Sequence, residues 1–444
     1  MRANSLNLTP AGAGGLADRW CAWPLLILMA SSGLPISYSL APARVMAVAD
    51  VAEQTAAAAS SASTLGSLGN LLLLGGLYSW AGAMLLSRPR SVAAVLLRCW
   101  PLLLLMALLL ASALWSYLPE KVLLNVVHNN GVLLIALAAA MRYRHQPASL
   151  PQQLGLVLGA NMALQVAAVL LLPGYAIDWQ GRWQGLTVHP NTLGGLGFTA
   201  FWANAAALSA GPPPWPRCHW LGCALSLLAI GGADSVTSKV CVALVLLVLL
   251  GLRWLRRRGT SRQQYLRLLA AGAMLLVLLK LLAGAVDLEW LYALLGRNSQ
   301  LTGRDEVWRD AYQAIGARPL LGWSFDDHAY LIASAGMPYS SYHNGVLDLA
   351  VNGGGVAVLL LALLMLNWAA GMLRPRLLAA RIAPYSVAFV LAYMLHNRAE
   401  ASYVSPRGQM WVIFLALLLL GACRPPQRQR EHGLSFAEAG HAAR

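Results

Sequence analysis

The stretch SKVCVALVLLVLLGLRWLRRRG, Ser238–Gly259, decides the fold class. It is a near-continuous aliphatic run that ends in Arg253, Arg256, Arg257 and Arg258. An apolar run followed at once by clustered positive charge reads as a helix crossing a bilayer, with its last turn at the cytoplasmic face.

The rest of the chain repeats this pattern. Of 444 residues, 58% are hydrophobic and only 11% charged, with a formal net charge of +15. A soluble domain carries roughly 25% charged residues, so this chain lacks the polar surface to cover itself in water. Disorder needs low hydrophobicity and is excluded. A nucleic-acid footprint needs a basic patch on a soluble body. Here the basic residues lie in short clusters between apolar runs, so no nucleic-acid partner is expected.

Apolar runs lie near 20–40, 65–87, 93–114, 120–141, 150–173, 191–210, 219–233, 238–252, 265–286, 344–370, 382–396 and 409–423. They predict an all-α polytopic membrane protein with about 12 transmembrane helices. The first run lacks a small-residue cleavage site and is expected to stay as a span rather than leave as a signal peptide. The expected division is helices 1–9 over 1–286, a long loop over 287–342, helices 10–12 over 343–423 and a tail over 424–444. Segment 54–64, rich in Ala, Ser and Thr, reads as a flexible external loop.

With the N-terminus inside, every inner loop is basic. Arg88, Arg90, Arg98, Arg142, Arg144, Arg217, Arg253, the 256–267 cluster, Arg374, Arg376, Arg381 and the tail arginines all fall there. Both termini are then cytoplasmic, and the long loop between helices 9 and 10 is external. The +15 balance is therefore mostly a topology signal, and Lys280 is the clear charged residue within a span. The six cysteines, Cys21, Cys99, Cys218, Cys223, Cys241 and Cys423, form no CxxC pair, which argues against disulfides and a zinc site. No Asp-rich motif asks for a metal, and no cofactor is expected.

Within the long loop, TGRDEVWRDAYQAIGARP starts at Thr302. Thr302 can cap a helix with Asp305 as its reciprocal partner. Trp308, Tyr312 and Ile315 recur at helical spacing, and Pro319 ends the pattern. The loop is expected to be folded, with an amphipathic helix on the membrane surface or over a cavity and a second short helix near 325–336.

Five external turns collect polar groups. DWQGRWQGLTVHPNTLGG, starting at Asp178, carries Arg182, His189 and Asn191, and Asn191 and Thr192 can cap the sixth span. GGADSVTSK, 231–239, offers Ser235, Thr237, Ser238 and Lys239. SSYHNGVLD brings His343 and Asn344 to the start of span ten, and HNRAEASYVSPRG holds His396, Arg398 and Glu400. The long loop adds Arg304 and Arg309. Any one of these is an ordinary loop residue; their convergence on one face is what suggests a site.

Buried polar groups are costly in the bilayer core, and His343 and Asn344 sit where a helix enters it. The task that fits is binding an anionic, lipid-linked group at the outer leaflet. Arg182 and Arg304 can grip phosphate oxygens with two nitrogens each, and a helix N-terminus adds donors. Outside the cytoplasm there is no ATP, so the substrate must arrive activated, as a sugar pyrophosphoryl lipid does. A histidine can then act as general base on an acceptor hydroxyl, or orient it.

The segments GRWQGLTVHPNTLGG, SVTSK, TGRDEVWRDAYQAIGARPLLGW and YHNGVLDLAVNGGG, in that order, resemble the bacterial O-antigen ligase and polymerase superfamily. So do ALWSYLPEKVLLNVV near 113–127 and a late external Glu, here Glu400. The resemblance covers about 110–410. It implies a multi-pass protein of the bacterial inner membrane with a metal-independent, GT-C-type helical fold and a periplasmic active site. It further implies transfer of a glycan from undecaprenyl pyrophosphate, by ligases to the lipid A core of lipopolysaccharide and by polymerases to another lipid-linked repeat.

On this resemblance, Arg182, Arg304 and His343 correspond to the catalytic positions. Arg309 and Arg297 are alternatives to Arg304, and His328 to His343, although only His343 is followed by Asn and Gly. His189, Asn191, Ser238, Lys239, Asn344, Arg309, Arg398 and Glu400 are expected to bind substrate. A ligase is favoured over a polymerase. A transporter is less favoured, because the halves show no matching broken helices.

Overall fold

The computed structural model describes residues 20–34, 64–187, 189–210, 212–255, 263, 304–337, 339, 341–374, 382–406 and 408–423. The expected span at 265–286 with Lys280, the segment 54–63, Arg297, Thr302, the 256–262 arginines, Arg267, Arg376, Arg381 and the tail fall outside these residues.

Among the described residues the chain is helical, and no β-strand forms. Besides the single turns Ser112–Trp115 and Pro173–Ala176, the helices are α1 (Trp23–Ser31), α2 (Thr64–Leu86), α3 (Pro89–Arg98), α4 (Trp100–Ala111), α5 (Pro119–Tyr143), α6 (Ser149–Leu171), α7 (Pro190–Ala210), α8 (Pro216–Gly232), α9 (Val236–Leu255), α10 (Arg304–Ala317), α11 (Ala329–Ser334), α12 (Gly345–Met372), α13 (Ile382–His396) and α14 (Gln409–Ala422). Most expected runs coincide with one of them.

Gly69–Leu86 of α2, together with α5, α6, α9 and α12, are long and apolar enough to cross a bilayer. A bent pair formed by α3 with the stretch from α4 to Trp115 makes a sixth candidate. The chain is therefore polytopic, with five or six such helices among the described residues where about twelve were expected. Some of the difference is length, since α13 and α14 have 15 and 14 residues and a full crossing takes about 20.

The run expected as one span at 93–114 is broken, and its two parts meet at 87°. Cys99 leaves helical geometry between them, and Pro101 occupies the first turn of α4. Proline has no N–H for a continuing helix, so it starts a new one there.

α7 and α14 form the centre. Residues from Leu193 to Ala207 of α7 and from Met410 to Ala422 of α14 are buried throughout. α7 packs on α6, α8 and α9, while α14 lies against α5 and α12. The close approach to α9 depends on Gly194, where a Cβ would come 2.5 Å from the Ser235 Cβ.

One end of the bundle is held by arginine. Arg98 donates to the Ala422 carbonyl at 3.0 Å, and Arg374 donates to that of Gly421. Both carbonyls belong to the last turn of α14, where cations are favoured.

The segment 318–325 passes across a break in α12. Gly354 has φ +63° and ψ −166°, a conformation open to glycine alone. A Cβ there would lie 2.2 Å from the Leu320 carbonyl carbon. The break frees backbone groups of α12, and the crossing segment takes them up. Trp323 and Ser324 N–H donate to the Val351 and Asn352 carbonyls, at 2.8 and 3.0 Å. Gly355 and Val356 N–H donate to the Pro319 and Leu320 carbonyls, at 2.8 and 3.2 Å. A broken helix is tolerated at membrane depth only where other protein groups satisfy its backbone in this way.

The expected loop helices are present as α10 and α11. Their small core joins Ala311, Ala314 and Leu331 to Tyr342, Leu347 and Val351. Trp308 and Ile315 face it, but Tyr312 points away and is 62% exposed. The buried stripe of α10 therefore runs through alanines, which let the helix sit close to α12. The indole N–H of Trp308 donates to the Tyr342 carbonyl at 3.0 Å, tying α10 to the residue before His343.

Candidate active site

The site forms where three turns meet, at the starts of α7 and α12 and the end of α13. The first turn is built around Asp178. Its Oδ1 accepts the backbone N–H groups of Gln180 and Arg182, each at 2.8 Å. Its Oδ2 accepts Nε and a terminal nitrogen of Arg182, at 3.0 and 2.9 Å. Trp183 N–H donates to the Gly232 carbonyl at 2.8 Å, so the turn is fastened to α8. Arg182 is thereby held in one orientation, its side chain 20% exposed. Asp178 was not among the expected site residues. A carboxylate four residues before an arginine, across a glycine turn, was the available signal.

His189 caps α7. Its carbonyl accepts the N–H groups of Thr192 and Leu193, and its Nδ1 accepts that of Asn191 at 3.1 Å. The expected caps, Asn191 and Thr192, lie instead inside the first turn, because the helix starts at Pro190. Proline suits that position since its missing N–H is not needed there. With Nδ1 accepting, the ring proton of neutral His189 sits on Nε2. Burial, and then the Arg182 guanidinium, holds the imidazole below its ordinary pKa, although the residue keeps part of its surface exposed. The Glu400 and Asp178 carboxylates act on it in the opposite direction, and His343 adds to the lowering.

Released from capping, the Asn191 side chain donates to Glu400 Oε1 at 2.9 Å. The other carboxylate oxygen, Oε2, lies 3.6 Å from Nδ1 of His343. Glu400 thus bridges the first turn of α7 and the residue two before α12. Its own turn is shaped by Asn397, whose Oδ1 accepts the N–H groups of Ser402 and Tyr403 at 2.9 and 3.1 Å. The Asn397 carbonyl accepts Gly345 N–H at 2.8 Å, clipping this turn to the start of α12.

His343 has φ +50°, a left-handed conformation that a side-chain-bearing residue adopts at a cost. The conformation is set from both sides. Tyr342 N–H donates to Asp348 Oδ1, and Asn344 Oδ1 caps α12 by accepting Val346 and Leu347 N–H. Asn344 is therefore a buried cap rather than a group facing the site. His343 itself is 47% exposed at the side chain. The alternative, His328, is 1% exposed, with Nδ1 3.2 Å from the Tyr339 carbonyl oxygen.

Two of the remaining expected residues, Ser238 and Lys239, are engaged elsewhere. Ser238 is fully buried against α7 and hydrogen-bonded to Ser235 at 3.0 Å. Lys239 pairs with Asp234 in its own turn. Arg309 lies on the exposed side of α10. Arg304 opens α10, and its side chain is outside the described residues. Arg398 follows α13 in the Glu400 turn, partly exposed.

The cluster offers a guanidinium with a fixed plane, an N–H donor, a carboxylate and an exposed imidazole beside that carboxylate. Such a set can hold an anionic leaving group and accept a proton from a hydroxyl.

Residues 221–362 match the family model described as O-antigen ligase. The match supports the resemblance to the O-antigen ligase and polymerase superfamily, a family of membrane glycosyltransferase-like enzymes. It includes His343, while Asp178, Arg182, His189, Asn191 and Glu400 lie beyond it. No curated protein matches the chain.

Proposed function

We propose that this chain, with its O-antigen ligase-type segment at 221–362, is a glycan ligase of the bacterial inner membrane. It transfers a glycan from undecaprenyl pyrophosphate to the lipid A core of lipopolysaccharide, at the periplasmic face. The observation that carries this reading is the Glu400 bridge between Asn191, in the first turn of α7 beside His189, and His343, at the end of the bundle away from Arg98 and Arg374. Positive loops mark the cytoplasmic side, so the opposite end faces the periplasm.

In the reaction, the acceptor hydroxyl oxygen bonds to the anomeric carbon, and the bond from that carbon to the phosphate oxygen breaks. The electron pair of that bond leaves with the lipid pyrophosphate. The free face of the Arg182 guanidinium and Nε2–H of His189 neutralise the charge that develops there. His343 Nε2 takes the hydroxyl proton, and the imidazolium formed lies beside Glu400. Arg304, at the first turn of α10, supplies a second guanidinium to the pyrophosphate.

Deleting the gene in its host and running a lipopolysaccharide gel tests the reading. Loss of all polymer from lipid A supports a ligase. A single repeat left on the core supports an O-antigen polymerase instead, and an unchanged gel overturns both and points to an exopolysaccharide polymerase or another substrate.

A further inference from the structure

Asn191, Glu400 and His343 form a chain of side chains from three separate elements. Glu400 gives one oxygen to each neighbour, at 2.9 Å to Asn191 Nδ2 and 3.6 Å to His343 Nδ1. Asn191 belongs to the first turn of α7, a helix buried over most of its length, so the carboxylate is aimed by a rigid element. The Gly345–Asn397 backbone bond keeps the Glu400 turn and the His343 segment in register.

We propose that Glu400 is a positioning residue: oriented by Asn191, it directs the Nδ1 proton of His343 and leaves Nε2 as the basic nitrogen facing substrate. This rests on the reading of His343 as the base. It assigns Glu400 a role through His343 rather than the substrate contact expected from the sequence. A carboxylate behind an imidazole holds the reactive tautomer and stabilises the imidazolium once the proton arrives. The separation of 3.6 Å is longer than a formed hydrogen bond, and such bonds tighten when substrate is in place. Other charged groups acting near His343 are His189 on the α7 side, with Arg182 and Asp178 behind it, and Asp348 on α12.

The test uses the purified full-length chain in lipid nanodiscs, with undecaprenyl pyrophosphate-linked glycan as donor and lipid A core as acceptor. Glu400→Gln keeps an oxygen for Asn191 but removes the charge facing His343. It is expected to lower kcat by about 10- to 100-fold, less than the roughly 100- to 10,000-fold of a whole general base because His343 itself remains, with KM for the donor changed less than about twofold. Glu400→Asp is expected to recover part of the loss, and Asn191→Ala to lower kcat by a smaller factor. A risen KM with unchanged kcat in Glu400→Gln would place Glu400 on the substrate and overturn the inference. Normal kcat in both Glu400→Gln and Asn191→Ala would overturn it too, while an inactive His343→Ala leaves the base assignment standing. An active His343→Ala removes the base assignment, and this inference with it.

Discussion

The Arg182 guanidinium and the Asp178 carboxylate meet through two nitrogens on one oxygen, at 3.0 and 2.9 Å. The arginine is therefore pre-oriented, and in the proposed function the remainder of its planar fork is what a phosphate group meets. Arg182→Lys keeps the charge but loses the plane. It should cut glycan transfer by about 10-fold or more, since a charge-assisted bond is worth roughly 1.5–3 kcal/mol. Transfer assays on membranes with matched protein levels check this; full activity would show that the plane is not used.

His343→Ala should abolish transfer, and His343→Gly should do the same while raising stability. The residue is held at φ +50°, and glycine removes the strain of that conformation, which is of order 1 kcal/mol. A higher melting temperature in detergent together with lost transfer is the expected pair of results. A lower melting temperature would show that the imidazole stabilises the fold more than its backbone strains it.

The lowered pKa of His189 makes its capping role sensitive to pH. The folded protein binds this proton less readily than the unfolded chain does. The stabilising contribution is therefore full above the ordinary histidine pKa and is lost as pH falls through that value toward the folded pKa. His189→Asn keeps a capping oxygen without titrating. Between pH 7.5 and pH 5 the wild-type melting temperature should fall further than that of the variant. Equal falls would remove His189 from the acid response.

Gly354→Ala should loosen the contact between α12 and residues 319–324. The added Cβ meets the Leu320 carbonyl carbon at 2.2 Å, and the φ of +63° is strained for alanine. A loss of about 3 kcal/mol or more is expected from the clash and the strain together. Gly355→Ala meets only the Pro319 oxygen at 3.4 Å and should be tolerated. Limited proteolysis after Arg318 and melting curves read the difference, and equal behaviour of the two variants would show that the close approach of Leu320 to Gly354 is not what holds residues 319–324 on α12.

Where helices form was legible in the sequence. An apolar run long enough to cross lipid must satisfy its own backbone, so most runs found by hydropathy reappear as helices. Pro319 ended α10 as expected, because a missing N–H acts locally. The segments of the site were legible too, since arginine, histidine and asparagine stand out at the edges of apolar runs. The bend between α3 and α4 was not, although Pro101 lay in plain view. A proline marks where a helix can break, but its neighbours set the angle.

The sequence by itself determined that this is a helical membrane protein with polar turns grouped at one end, because composition and spacing act residue by residue. Only the tertiary structure decided which turns touch. Asn191 leaves its expected cap for Glu400 because His189 takes that role, and Ser238 turns inward because Gly194 leaves room for it. These outcomes depend on contacts between residues far apart in the chain. Their energies exist only once α7, α9, α12 and α13 are packed together, so no local pattern could carry them.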